Sequence, residues 1–224
     1  HTLIYYHGGG WVIGSAHGMD VLHPCEQHGA QVFSIAYRLA PEWRFPTGFN
    51  DCFDALKHYY NNADKYNIDK SRLSVGGASA GGNLAAAVAI AARDAKIPLA
   101  SQVLLFPVTD VNFAFASSSQ FYDVILTPAF MLWFRNKYVT PENYNDWRVS
   151  PLRAADLSGV AKAYILACGS DVLHDDATNY AAALDAAGVA VEMVDIPNAP
   201  HACNLPLYSE YSAEFGPLEA AAYV

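Results

Sequence analysis

At 224 residues, 53% of them apolar, the chain is most simply one domain with a sizeable core. Thirteen basic against 22 acidic residues give a net charge of -9, which argues against nucleic acid as a partner. No apolar run approaches bilayer length, and the four cysteines, Cys25, Cys52, Cys168 and Cys203, form no CxxC pair, which argues against a zinc knuckle or redox motif and for free thiols.

Residues 2–6 read as a strand that runs straight into His7-Gly8-Gly9-Gly10-Trp11. Three consecutive glycines leave backbone N–H groups uncovered by side chains, which suits either a plain flexible turn or a loop that donates to a substrate oxygen. Residues 17–29 look helical and 31–36 extended. His23, Cys25 and His28 lie close together there, but their spacing matches no zinc pattern, and a partly exposed helix accounts for them. In Tyr37-Arg38-Leu39-Ala40-Pro41-Glu42 and Phe45-Pro46, prolines and mixed charge mark an ordered connection, which Arg38 and Glu42 are expected to brace. Residues 49–66 then read as a helix with Phe53, Leu56, Tyr59 and Tyr60 as its apolar positions.

The centre of the chain is Gly76-Gly77-Ala78-Ser79-Ala80-Gly81-Gly82-Asn83, between a short strand at 72–75 and an unbroken apolar helix at 84–92. Gly77 to Gly81 fits G-x-S-x-G, in which a serine on a strained strand-to-helix turn is pushed out above the sheet and the flanking glycines supply room. The helix starting there points its free N–H groups at any oxyanion formed beside Ser79, the expected nucleophile. A phosphate loop would need Lys then Ser or Thr after its second glycine, and a dinucleotide loop G-x-G-x-x-G; neither register is present. The remaining rival is a small-residue turn that only lets helix and strand pack closely.

Residues 102–106 form another strand, ending at Pro107. The stretch 110–148, rich in Phe, Tyr and Trp and with a helix at 128–138, is either a wall for an apolar acyl or alcohol group or a core-packing excursion. After the apolar strand 162–168 stands Asp171, at the strand's C-terminal end, where open α/β sheets bind ligands. Asp175 and Asp176 lie at the start of a helix at 177–187, where carboxylates serve the helix N-terminus. Strand 189–196 is followed by His201, and the order Ser79, Asp171, His201 is that of α/β-hydrolase triads.

Together, His7-Gly8-Gly9-Gly10-Trp11, Tyr37-Arg38-Leu39-Ala40-Pro41-Glu42, the Ser79 turn with Gly82-Asn83-Leu84, Ser150-Pro151-Leu152, Asp171-Val172-Leu173 and the His201 loop resemble the hormone-sensitive-lipase-like branch of the α/β-hydrolases, in the same order along nearly the whole chain. The resemblance implies one catalytic domain over 1–224, with a mostly parallel sheet and helices on both faces. It further implies a serine carboxylesterase acting on short- to medium-chain acyl esters through an acyl-enzyme, with Ser79 as nucleophile, His201 as general base and then acid, and Asp171 orienting the imidazole. Backbone N–H groups of Gly9, Gly10 and Ala80 would form the oxyanion hole, and neither metal nor organic cofactor is implied. Amide or formamide hydrolysis is the chemical neighbour of this activity, and a non-catalytic binder of a small hydrophobic ligand is the alternative; such binders typically lack the histidine.

This sequence departs from the family pattern at Ala78, Val172 and Ala202, changes expected to alter loop positioning without removing the chemistry. Members also carry a helical cap and two strands ahead of the HGGG strand, none of which is in this sequence, so a fragment of a longer chain is expected; if complete, a bare sheet edge predicts self-association, including a homo-oligomer. The sequence has no basic-then-apolar leader and no N-x-S/T acceptor, so a cytoplasmic location is expected.

Overall fold

The computed structural model describes residues 1–18, 29–120 and 125–203. Strands β1 (Thr2–Tyr6), β2 (Gln31–Ile35), β3 (Leu73–Ala78), β4 (Gln102–Leu105), β5 (Ala163–Cys168) and β6 (Val191–Ile196) form one sheet in the order β2-β1-β3-β4-β5-β6. Every neighbouring pair is parallel. The chain therefore winds one way from β1 to β2, then returns past β1 and winds the other way from β3 to β6. The reversal lies between β1 and β3, and the crevice beyond their C-terminal ends is where such sheets hold ligands. His7-Gly8-Gly9-Gly10 leaves β1 there, and Ser79 leaves β3 beside it.

β1, β3, β4 and β5 are buried along their whole length, as strands covered on both faces must be, and so read as continuous apolar runs rather than alternating ones. Alternation survives in what each residue touches. Ile4, Tyr6, Val75, Leu104 and Ile165 join a core shared with helices α1 (Thr47–Asn61), α2 (Ala80–Asp94) and others C-terminal to them, whereas Leu3, Tyr5, Val103, Leu105 and Leu166 form a second cluster on the opposite face. The second cluster draws on strands and connections and on none of the described helices. The helix expected at 17–29, with His23, Cys25 and His28, lies almost wholly outside the described residues.

α2 sits at the centre of the larger core. Residues Ala80 to Ala92 are all buried, and the many alanines let the helix approach β3, β1 and β4 on one side and α1 on the other. Beyond it come a short helix α3 (Ser117–Gln120), α4 (Pro128–Tyr138) and α5 (His174–Ala186). α4 begins where the sequence indicates, because Thr127 Oγ1 accepts the Phe130 N–H and Pro128 occupies the first turn, where its missing donor costs nothing.

Several boundaries differ from the sequence reading, among them those of α1, α2 and α5. α1 stops at Asn61, and 63–66 is a separate 3-10 turn, because Asn62 turns its side-chain amide back onto the His58 carbonyl and Asn67 takes up a left-handed conformation. α2 starts at Ala80, since Gly81 and Gly82 are helical rather than part of the turn. α5 starts at His174, three residues earlier than expected, which moves Asp176 inside its first turn. Arg38 braces its connection as expected, through a two-pronged pair with Asp51 at 2.6 and 2.9 Å, while Glu42 is exposed. Among the described residues no helix is long and apolar enough to cross a membrane.

Candidate active site

Ser79 occupies the turn between β3 and α2 with φ 57° and ψ -118°, a conformation a serine adopts only when its surroundings impose it. The imposition is visible. Ser79 N–H donates to the Leu105 carbonyl at 2.8 Å, and its own carbonyl accepts from Asn83 N–H at 3.0 Å and Val108 N–H at 3.4 Å. A Cβ at Gly81 would fall on the Tyr6 carbonyl, so only glycine lets α2 come this close to β1.

His201 Nε2 lies 3.1 Å from Ser79 Oγ, and His201 Nδ1 lies 2.6 Å from Asp171 Oδ2. Asp171 Oδ1 is already taken by the Leu173 N–H at 3.0 Å, so both carboxylate oxygens act as acceptors. The Nδ1 position therefore carries the imidazole proton, leaving Nε2 to receive the serine hydroxyl. Asp171 is fully buried and His201 is 5% exposed, so little water competes for these bonds. The three residues that the sequence order singled out are brought together from 122 positions apart for the widest pair.

The glycine loop forms the opposite side of the crevice. Gly9 and Gly10 have φ of 112° and 58°, and the Gly9 carbonyl turns inward to accept from Val12 and Ile13 N–H groups at 3.1 and 3.0 Å. His7 anchors the loop: it is buried, its ring stacks on Tyr37 at 4.4 Å, and Tyr37 Oη donates to its carbonyl at 2.8 Å. Gly9, Gly10 and Ser79 line one cavity; Ala80 does not line it but stands directly behind Ser79 as the first residue of α2. The cavity holds about 360 Å³ and is lined mainly by apolar side chains, among them Phe106, Phe113, Leu126, Met131 and Phe134. Four of those five come from the aromatic stretch 110–148, which also sends Val111, Met131 and Tyr138 into the core, so both sequence readings of that stretch describe part of it.

Several residues that shape this crevice were not singled out one by one in the sequence, although Phe134 belongs to the aromatic stretch 110–148. Phe106 has φ 36°, and its ring meets that of His201 edge to face at 4.9 Å. Phe134 lies so close over Gly10 that a Cβ there would enter its ring. Cys168 and Cys203, far apart in sequence, bring their sulfurs to 3.1 Å beside the histidine loop; the neighbouring Cys203 thiol and burial push Cys168 up, so it stays protonated. Asp176 was expected to serve its own helix end. Instead it is fully buried, and its Oδ1 accepts from the backbone N–H groups of Thr109 at 2.7 Å and Asp110 at 2.9 Å. Burial, with lesser contributions from the charges of Asp110 and Asp171, outweighs those two donors and pushes its carboxyl up to about 8. Of the departures from the family pattern, Ala78 and Val172 are buried and Ala202 adopts φ 60°, a conformation that glycine takes more readily. Among the described residues, no group of three His, Cys, Asp or Glu is arranged to hold a metal ion.

A family model described as the alpha/beta hydrolase fold matches residues 3–205. The chain belongs to the α/β-hydrolases. Within them it falls in the hormone-sensitive-lipase-like branch, as its motifs indicate. This α/β-hydrolase chain is 39% identical over 206 residues to an ethyl acetate hydrolase of Pseudomonas putida, covering 89% of this chain and 65% of that protein. It thus spans slightly under two thirds of that relative's length. Among solved structures it resembles a bacterial heroin esterase, with a TM-score of 0.91 at 31% identity, covering 100% of this chain and 75% of that one. An esterase of Pyrobaculum calidifontis superposes with a TM-score of 0.90 at 33% identity, covering 100% and 77%.

Proposed function

We propose that this α/β-hydrolase cleaves carboxylic esters of short to medium acyl chain through an acyl-enzyme on Ser79. The observation that carries the reading is the alignment of Ser79 Oγ, His201 and Asp171 at 3.1 and 2.6 Å on one wall of an apolar cavity. In the first step His201 Nε2 takes the hydroxyl proton while Ser79 Oγ bonds to the ester carbonyl carbon. The imidazolium so formed is held by Asp171 through Nδ1–H. The carbonyl oxygen becomes an oxyanion facing the N–H groups of Gly9, Gly10 and Ala80, where the start of α2 adds its positive dipole end. His201 then returns the proton to the alcohol oxygen as the carbon–oxygen bond breaks. Water, activated by the same imidazole, releases the acid and restores Ser79.

The relatives named as an ethyl acetate hydrolase and as esterases support this chemistry for small esters. Among the described residues the cavity has no acidic or lysine or arginine side chain in its lining, which favours uncharged acyl and alcohol groups. His201, in bonding distance of both Ser79 and Asp171, favours an enzyme over a ligand binder on the same scaffold.

The test is turnover of p-nitrophenyl esters from acetate to decanoate by the wild-type chain and by Ser79→Ala, with p-nitroanilides as the amide counterpart. Ester turnover that disappears in the variant is the expected result. Turnover that survives Ser79→Ala, or a wild-type chain that neither hydrolyses any ester nor takes up a fluorophosphonate, would overturn it.

A further inference from the structure

The catalytic alignment joins two parts of the chain that are remote in sequence, the Ser79 turn and the Asp171 loop, and a second connection runs between them behind the cavity. Val108 begins it on the nucleophile side: its N–H donates to the Ser79 carbonyl at 3.4 Å and its carbonyl accepts from Asn83 Nδ2 at 3.0 Å. The next two residues end it on the acid side. Thr109 and Asp110 direct both N–H groups at Asp176 Oδ1, and Thr109 Oγ1 donates to the Asp176 carbonyl at 2.8 Å. Asp176 stands in the first turn of α5, which is continuous with the acid loop: His174 N–H donates to the Asp171 carbonyl at 3.1 Å and Leu173 N–H to its side chain.

The result is a closed circuit. Ser79, Val108, Thr109 and Asp110, Asp176 and Asp171 form its rear half, and His201 closes the front. Asp176 takes no part in the proposed bond making, is fully buried, and leaves Oδ2 without a hydrogen-bond partner among the described residues. A buried carboxyl with one oxygen unsatisfied is costly to keep, and its other oxygen is the acceptor of two backbone N–H groups that an apolar residue of similar size would leave unpaired. Asp110, which faces it, is occupied elsewhere by Arg153 Nη2 at 2.7 Å.

We propose, resting on the ester-hydrolase reading, that Asp176 is a positioning residue, which sets the distance between the Asp171–His201 pair and Ser79 by clamping α5 to the Thr109–Asp110 backbone. It touches neither substrate nor reacting atoms. Its effect passes through the two N–H groups it holds and through the Thr109 hydroxyl bonded to its carbonyl, so an amide oxygen in the place of Oδ1 serves and a methyl group does not.

The experiment compares wild type with Asp176→Ala, Asp176→Asn and Thr109→Val. Two readouts are used: kcat and KM for p-nitrophenyl acetate, per active site counted with a fluorophosphonate, and the low-field proton resonance of His201 Nδ1–H in its bond to Asp171. Asp176→Ala is expected to lower kcat by about tenfold or more with KM changed less than about twofold, since a small displacement of a catalytic group far outweighs its effect on binding. The Nδ1 proton resonance shifts or broadens with it. Asp176→Asn recovers most of the lost kcat, and Thr109→Val, which deletes one hydroxyl at constant volume, lowers kcat by about threefold. A purely structural Asp176 would lower the melting temperature and leave kcat per site and the resonance at wild-type values, and that outcome overturns the proposal. If Asp176→Ala does not fold, Thr109→Val decides: wild-type kcat and an unmoved resonance in that variant overturn it equally. A wild-type chain without ester turnover would sink the proposed function instead, and the resonance, which needs no substrate, would still report whether Asp176 governs the pair.

Discussion

Replacing Asp171 by asparagine tests the proton assignment at the heart of the site, and the structure dictates which way the new amide turns. Asp171 Oδ1 accepts the Leu173 N–H at 3.0 Å, so the asparagine keeps its carbonyl there and presents its NH2 at the old Oδ2 position, 2.6 Å from His201 Nδ1 in the parent. Flipping the amide would set two donors against each other at Leu173 in a fully buried place, at a cost of about 1–3 kcal/mol. With an N–H facing Nδ1, that nitrogen must become the acceptor and Nε2 must carry the proton. Nε2 then has no lone pair for the Ser79 hydroxyl 3.1 Å away. A carboxylate-to-amide change with this consequence lowers kcat by about ten-thousandfold, or roughly 5.5 kcal/mol, with the fold intact. The assay is kcat for p-nitrophenyl acetate at neutral pH together with the melting temperature. A variant that folds and retains more than about a tenth of wild-type kcat would refute the tautomer argument and with it the assigned role of Asp171.

Other perturbations probe separate parts of the architecture. Phe134→Ala opens the cavity beside Gly10 and is expected to move the optimal acyl chain to greater length, read from the p-nitrophenyl ester series; an unchanged optimum would mean that the acyl group lies elsewhere. Gly81→Ala drives a Cβ onto the Tyr6 carbonyl and, at a cost of about 3 kcal/mol for forced separation of packed elements, is expected to lower the melting temperature by roughly 6–12 °C. Asp176 supplies a pH test. Its folded carboxyl titrates at about 8, above the roughly 3.9 of an unfolded chain, so between those values the unfolded state has lost a proton that the folded state keeps. Stability contributed by that proton is complete at low pH and is lost as pH rises towards 8, at up to about 1.4 kcal/mol per pH unit. Asp110, paired with Arg153, and Asp171 are the charged groups acting on it, and Asp176→Asn removes the dependence. The melting temperature of the variant relative to wild type should therefore climb between pH 6 and 8, and a flat difference would contradict the assignment.

The sequence by itself determined the class of the fold, the turn that carries the proposed nucleophile Ser79 and the order of its proposed companions. It could do so because each depends on local chemistry. Continuous apolar runs separated by helical stretches specify buried parallel strands, and Gly77-Ala78-Ser79-Ala80-Gly81 specifies a turn that few other residue combinations can make. The ends of α1 and α5 were legible only to within a few residues, since Asn62 and His174 act through hydrogen bonds and contacts that propensity does not record. Asp171 and His201 were nameable as candidates, but only the parallel register of β3, β4, β5 and β6 carries their loops to the same edge of the sheet as Ser79. Nothing local marked Phe106, Cys203 or Asp176 for the crevice, and Phe134 was marked only as one of the aromatic residues of 110–148. A carboxylate in the first turn of a helix ordinarily serves that helix in solvent, and Asp176 differs because packing against the Thr109–Asp110 backbone removes water from it. Burial and long-range contact are properties of the assembled sheet, and they decided which of several chemically capable side chains meet.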